Sequence, residues 1–197
     1  MGDYHVVLGV LGSVIGALAY VPYIVDIYRG TTKPHPFTWF VFGLLNAIVF
    51  FGQVIEGGGP GSWIFGITTL ACFFLAGAGM RFGKRAITLF DWLCFGGALL
   101  GVVLWVVTNE PLAAIIVVTI TDALAFVPTI RKTYIEPHSE TLSMYVLGTM
   151  KYILGIAALD VLNLTTVLFP ASISVINVFF ISMVLLRRRQ LARIPQS

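Results

Sequence analysis

Asp122 and Lys151 stand deep inside apolar stretches of this sequence, in "VVTITDALAFVP" (117–128) and "SMYVLGTMKYILGI" (143–156). A carboxylate and an ammonium in such surroundings have two uses. They can neutralise each other as a buried ion pair that fixes packing, or they can wall a polar cavity and hold a solute. Asn46 and Asn177, each in a further apolar stretch, bring amide donors and acceptors to the same cavity or to plain hydrogen bonding between helices.

Other chemistry finds no support in the spacing. There is no HExxH, no GxSxG and no glycine-rich phosphate loop, and "GGGPG" (57–61) reads as a turn. Cys72 and Cys94 lie in apolar runs without a CxxC spacing or a nearby histidine cluster, so both are expected to be small buried hydrophobes. His35 and His138 recur beside proline in loops and are expected to be solvated, not ligands. No enzyme activity, cofactor or metal is expected.

The elements that must position these residues follow from composition. Of the 197 residues 58% are hydrophobic and 11% charged, with a mean hydropathy of +0.94. A soluble domain carries about a quarter charged residues, so this chain has too few to cover itself in water. In lipid only helices and closed barrels satisfy the backbone, and the apolar runs here are unbroken where a barrel would alternate. Seven runs emerge: Val6–Tyr28, Phe37–Ile55, Trp63–Met80, Trp92–Val107, Leu112–Ile130, Thr141–Leu159 and Leu164–Leu186. Most approach the roughly 20 residues needed to cross the bilayer. The expectation is an all-α, multi-pass membrane protein of seven transmembrane helices, without a soluble domain. The leader "MGDYH" has an acid where a cationic region would open a signal peptide, so the first run is expected to be retained.

Charge orients the bundle. Arg29 and Lys33 follow the first run; Arg81, Lys84 and Arg85 the third; Arg131 and Lys132 the fifth; Arg187, Arg188, Arg189 and Arg193 the seventh. Of the twelve lysines and arginines, only Lys151 lies elsewhere, while Asp3, Glu56, Glu110 and Asp160 occupy the opposite loops. The positive-inside rule makes the basic face cytoplasmic and the N terminus external, in a cell membrane. These cations mark topology, and nothing arranges them as a nucleic-acid surface. At 1.5 Å per residue, Lys151 lies about 15 Å above the start of its helix and Asp122 about 13–14 Å from Arg131. Asn46 and Asn177 reach a similar height, so four polar side chains on four helices share the midplane.

The sequence also repeats. "ALAYVPYIVDIY" (17–28) and "ALAFVPTIRKTY" (123–134) match at an offset of 106, each ending the first helix of a set of three. With slippage the match continues, "KPHPFTWFVFGLLN" (33–46) facing "EPHSETLSMYVLGTMK" (136–151), so that Gly43 meets Gly148. Residues 1–85 then form one three-helix bundle, 86–110 a linker helix, 111–190 a second bundle and 191–197 a tail. The linker run, with Gly97-x-x-x-Gly101 for close backbone contact, turns the chain so that both bundles share an orientation.

Helices arranged 3+1+3, with a proline near the basic end of the first helix of each set and a short polar loop after it, resemble the PQ-loop/SWEET transporter superfamily. "VPTIRKTYIEPHSETLS" (127–143) is similar to that superfamily's second signature. The glutamine of its PQ dipeptide is replaced by Tyr23 and Thr129. The resemblance implies that Pro22 and Pro128 act as hinges between two access states; a static kink is the plainer alternative. It also implies a pocket asparagine on the third helix of each copy: Asn177 fits, whereas Ala71 and Cys72 offer none. Proton-coupled members carry an acid near the position of Lys151, where the charge is here reversed.

Trp39 and Tyr145 stand near the basic mouth, to stack on a solute or to join the interfacial aromatic belt. Asp26 and Lys132, equivalent after the two prolines, either close a gate across the bundles or form a solvated pair. The resulting expectation is alternating-access transport of a small polar solute (a sugar, an amino acid or a carboxylate), with the bilayer and that solute as partners and self-association left open. Two alternatives remain. A seven-helix receptor of the retinal type needs its lysine on the seventh helix, which has none. A cargo or assembly protein would share the fold without transport.

Overall fold

The computed structural model describes residues 3–30, 34–82, 87–138, 140 and 142–192, without the side chains of 3, 82, 90, 128 and 192. Lys33, Lys84, Arg85 and Arg193 of the basic face, and the ring of Pro128, lie outside the described residues. The described chain forms seven α-helices: α1 Asp3–Tyr28, α2 Pro36–Ile55, α3 Trp63–Phe82, α4 Leu89–Thr108, α5 Pro111–Ile135, α6 Leu142–Ala157 and α7 Leu164–Ala192. A short 3-10 turn, Gly59–Ser62, precedes α3. Six helices are long and apolar enough to cross a membrane. The chain is a helical membrane protein.

Local chemistry sets the helix ends. Pro36 and Pro111 stand at the first turns of α2 and α5, where a missing N–H costs nothing. Thr88 and Asp91 form a reciprocal capping box that starts α4 three residues before the apolar run. Asn109, with φ 55°, ends α4 in the left-handed region that asparagine tolerates. Asp91 also accepts from Thr88 Oγ1 and from Thr38 Oγ1, tying the start of α4 to the first turn of α2.

Two helices depart from the apolar runs. α6 has 16 residues, against 20 to 29 in the other six, and stops at Ala157 instead of Leu159. Past that point Asp160 N donates to Gly58 O, docking the chain on the residue that precedes the 3-10 turn. α7 continues past Leu186 through the arginines. Arg187 Nε donates to Tyr134 O, and Arg188 donates to Pro137 O and Glu140 O, so the α5–α6 connection is held against the end of α7.

α3 lies between α1 and α2, and α7 between α5 and α6; among the described residues the backbones of α1 and α2, and of α5 and α6, do not come close, and these pairs meet only through long side chains. α1 packs on α6 and α2 on α5, while α4 lies against α2 and α5. Leaving α4 aside, exchanging α1 with α5, α2 with α6 and α3 with α7 maps the set of packed helix pairs onto itself. On α4, Gly97 lets α5 approach so closely that an added methyl would sit 2.2 Å from Thr121 Oγ1.

Candidate functional site

A cavity of about 250 Å³ opens between the two sets of three helices. Asn46, Asp122, Lys151, Asn177, Trp39 and Tyr145 all line it. They come from α2, α5, α6 and α7, and α1 and α3 complete the wall with Tyr20, Thr68 and Cys72. The polar residues singled out by their placement in apolar runs therefore meet.

Lys151 is 5% exposed. Its stem runs beside Gly16 of α1, where an added methyl would stand 3.2 Å from Cδ. Its ammonium donates to Thr68 Oγ1 at 3.0 Å and lies 4.8 Å from the Tyr152 ring centroid and 5.7 Å from that of Tyr20. Aromatic faces attract a cation, most strongly where water is excluded. Thr68 passes its own proton to Ile64 O, leaving its oxygen free to accept.

The ion pair between Asp122 and Lys151 is absent: the described ion pairs are His5 with Asp160 and Lys132 with Glu140. Asp122 and Lys151 stand on α5 and α6, whose backbones are not adjacent, and both line the cavity between them. Among the described residues Asp122 has no hydrogen-bond partner. Asn46, 7% exposed, donates from Nδ2 to Phe42 O at 2.8 Å, and its Oδ1 is buried without a partner. The donation to Phe42 O fixes which way the amide points, because the flipped form would set oxygen against oxygen. Asn177, also 7% exposed, lines the cavity with its amide 3.5 Å from where a methyl on Gly148 would stand.

Trp39 and Tyr145 turn into the cavity. Trp39 packs edge-on against Tyr20 (6.1 Å, 71°), and Tyr145 packs the same way against Phe126 (5.8 Å, 62°). Tyr20 and Phe126 are the aligned residues of the repeat. Trp39 Nε1 donates to Tyr23 OH, and Tyr145 OH to Glu140 Oε2.

Asp26 and Lys132 do not pair across the bundles in this structure. Lys132 Nζ binds Glu140 Oε1 at 3.0 Å, within its own set of helices. Asp26 instead lines, with Pro22 and Tyr23, a second cavity of about 180 Å³ against the start of α6. α1 packs on α6 and not on α5, so equivalent positions after the two prolines are not opposite each other. This second cavity shares Ala19 and Met144 with the central one and leads from it toward the basic end. At the other end a packed layer closes the molecule. Gln53, Phe65, Leu159, Thr166 and Phe169 are each at most 2% exposed, and Glu56 accepts from Asn163 Nδ2 at 2.7 Å.

Sequence reasoning missed Tyr20, Thr68 and Phe126 as cavity walls. Thr68 carried the one usable signal, a hydroxyl one turn before Cys72 in an apolar run. Compared with family models, curated proteins and solved structures, the chain matches none.

Proposed function

We propose that this protein carries a small polar solute across a membrane by alternating access, with the solute held in the central cavity. The observation that supports this most is the meeting of one acid, one base and two amides, from four helices, around a single cavity. A membrane protein accepts the cost of such groups where they face water or a ligand. The packing among the six helices other than α4, unchanged when the two sets are exchanged, fits two similarly oriented bundles that rock about a fixed site. The resemblance to the PQ-loop/SWEET superfamily, carried by the repeated proline stretches, points the same way. On this reading the basic face is cytoplasmic, Pro22 and Pro128 are hinge positions, and the cavity is captured on the cytoplasmic side of a closed outer layer.

Counterflow of radiolabelled sugars, amino acids and carboxylates in proteoliposomes tests the proposal. Exchange of at least one class is expected, with Lys151→Ala and Asp122→Ala each abolishing it while the variants remain folded in the membrane. If no class exchanges, the carrier reading is lost and the cargo or assembly role takes its place.

A further inference from the structure

We infer that the solute is a small zwitterion, its ammonium directed to Asp122 and Asn46 and its anionic group to Lys151. The inference rests on the carrier reading only for the movement of the solute, not for its binding. Its basis is the division of the cavity into two unlike walls.

α2 and α5 pack on each other and present acceptors. Among the described residues none donates to the Asp122 carboxylate, and Asn46 offers a buried Oδ1 without a partner. The opposite wall, from α1, α3 and α6, presents a donor. Lys151 has three N–H groups, of which Thr68 accepts one, and the Tyr20 and Tyr152 rings hold the ammonium in place. An acid and a base that could have cancelled by contact are kept apart instead. A molecule with one charge only would leave the other protein charge uncompensated in a desolvated site, which is costly. A neutral sugar would leave both.

The repeat shows how the walls came to differ. At the offset of 106, Asp122 aligns with Gly16, and where Gly43 meets Gly148, Lys151 aligns with Asn46. Both charges therefore sit in the second copy. Gly16, the counterpart of the acid, is the residue that makes room for the lysine stem, so Lys151 reaches across to the first copy's wall. A cavity of about 250 Å³ corresponds to roughly eight water volumes of about 30 Å³, which suits a solute of amino-acid size. Tyr20, Trp39, Phe42 and Phe126 supply apolar surface for its remainder.

The test uses purified full-length protein and a set of ligands on one carbon skeleton: L-leucine, isopentylamine and 4-methylpentanoate. The other proteinogenic amino acids, glycine betaine and glucose complete the panel. A ligand that binds the folded state raises the melting temperature. At least one zwitterion is expected to bind about ten- to a hundredfold more tightly than its matched amine and acid, the range for one charge-assisted hydrogen bond. Asp122→Asn should erase the preference for the zwitterion over the acid, and Lys151→Gln the preference over the amine. Should Asp122→Asn fail to fold, Asn46→Ala should weaken the same preference in the same direction. Such exchanges of preference would not follow from a merely structural role. Binding of glucose without any zwitterion, or of no member of the panel, overturns the inference. Zwitterion binding without counterflow keeps it and removes the carrier reading, and glucose counterflow alone does the reverse.

Discussion

At the scale of single residues, Lys151 concentrates the cost and the use of this site. Its ammonium is shielded from solvent and keeps one hydrogen-bond acceptor and two aromatic faces. Removing the acceptor and removing the charge should then act in opposite directions. Thr68→Val leaves a buried ammonium short of a partner and should destabilise by about 1.5–3 kcal/mol. Lys151→Met keeps the stem beside Gly16 but removes the ammonium that must be desolvated, and should leave stability unchanged or raised. Thermal unfolding in detergent would rank Lys151→Met at or above the parent and Thr68→Val below it; the reverse order would mark the lysine as a packing residue. The polar residues were legible because Asp122, Lys151, Asn46 and Asn177 interrupt apolar runs, and intramembrane polarity is conspicuous. Tyr20 and Phe126 were not, because an aromatic ring facing a cavity and one facing lipid read alike. Nor does sequence depth reveal distance across a cavity, so the sequence leaves Asp122 and Lys151 open between a contact pair and separate parts of a cavity wall.

At the scale of elements, Pro170 explains a contact that the apolar pattern hid. Proline has no N–H, so the carbonyl one turn earlier, on Thr166, loses its helical donor. Gln53 Nε2 of α2 supplies the donor instead, at 2.6 Å. Gln53→Leu should therefore strand a buried carbonyl and cost about 1–3 kcal/mol. Pro170→Ala restores the missing N–H and should relieve most of that loss in the double variant. Unfolding temperatures of the two single variants and the double variant give the coupling directly, and strict additivity would sink this account. The helices themselves were legible from unbroken hydrophobicity and turn residues, whereas two of their ends were not. α6 stops early, with Asp160 beyond it docked on Gly58, and α7 runs on because its arginines bind the α5–α6 connection. Both are long-range contacts that no local pattern encodes.

At the scale of the whole molecule, the two ends of the cavity are built differently. At the end bearing Glu56 and Asp160, polar contacts join the first set of helices to the second: Gln53 to Thr166 O, Asn163 to Glu56, and His5 3.5 Å from Asp160. Gly61 adds a backbone approach to Gly155, where a methyl would lie 2.6 Å from the carbonyl oxygen. At the basic end Lys132, Tyr145 and Arg188 all donate to Glu140 inside the second set. A rocking motion about the midplane must break the first group of bonds and can leave the second intact. The cavity wall holds its own reporter. Cys72 faces the cavity, and Cys94 stands apart on α4, so the Cys94→Ala variant reports from one thiol. A small membrane-impermeant thiol reagent should modify Cys72 when added on the basic side and react far more slowly from the opposite side. Glu56→Ala combined with Asn163→Ala weakens the joined end and should raise labelling from that opposite side, at the expense of the basic side. Equal labelling from both sides in the parent protein, or a double variant that labels like the parent, would contradict a closure built from these cross-bundle bonds.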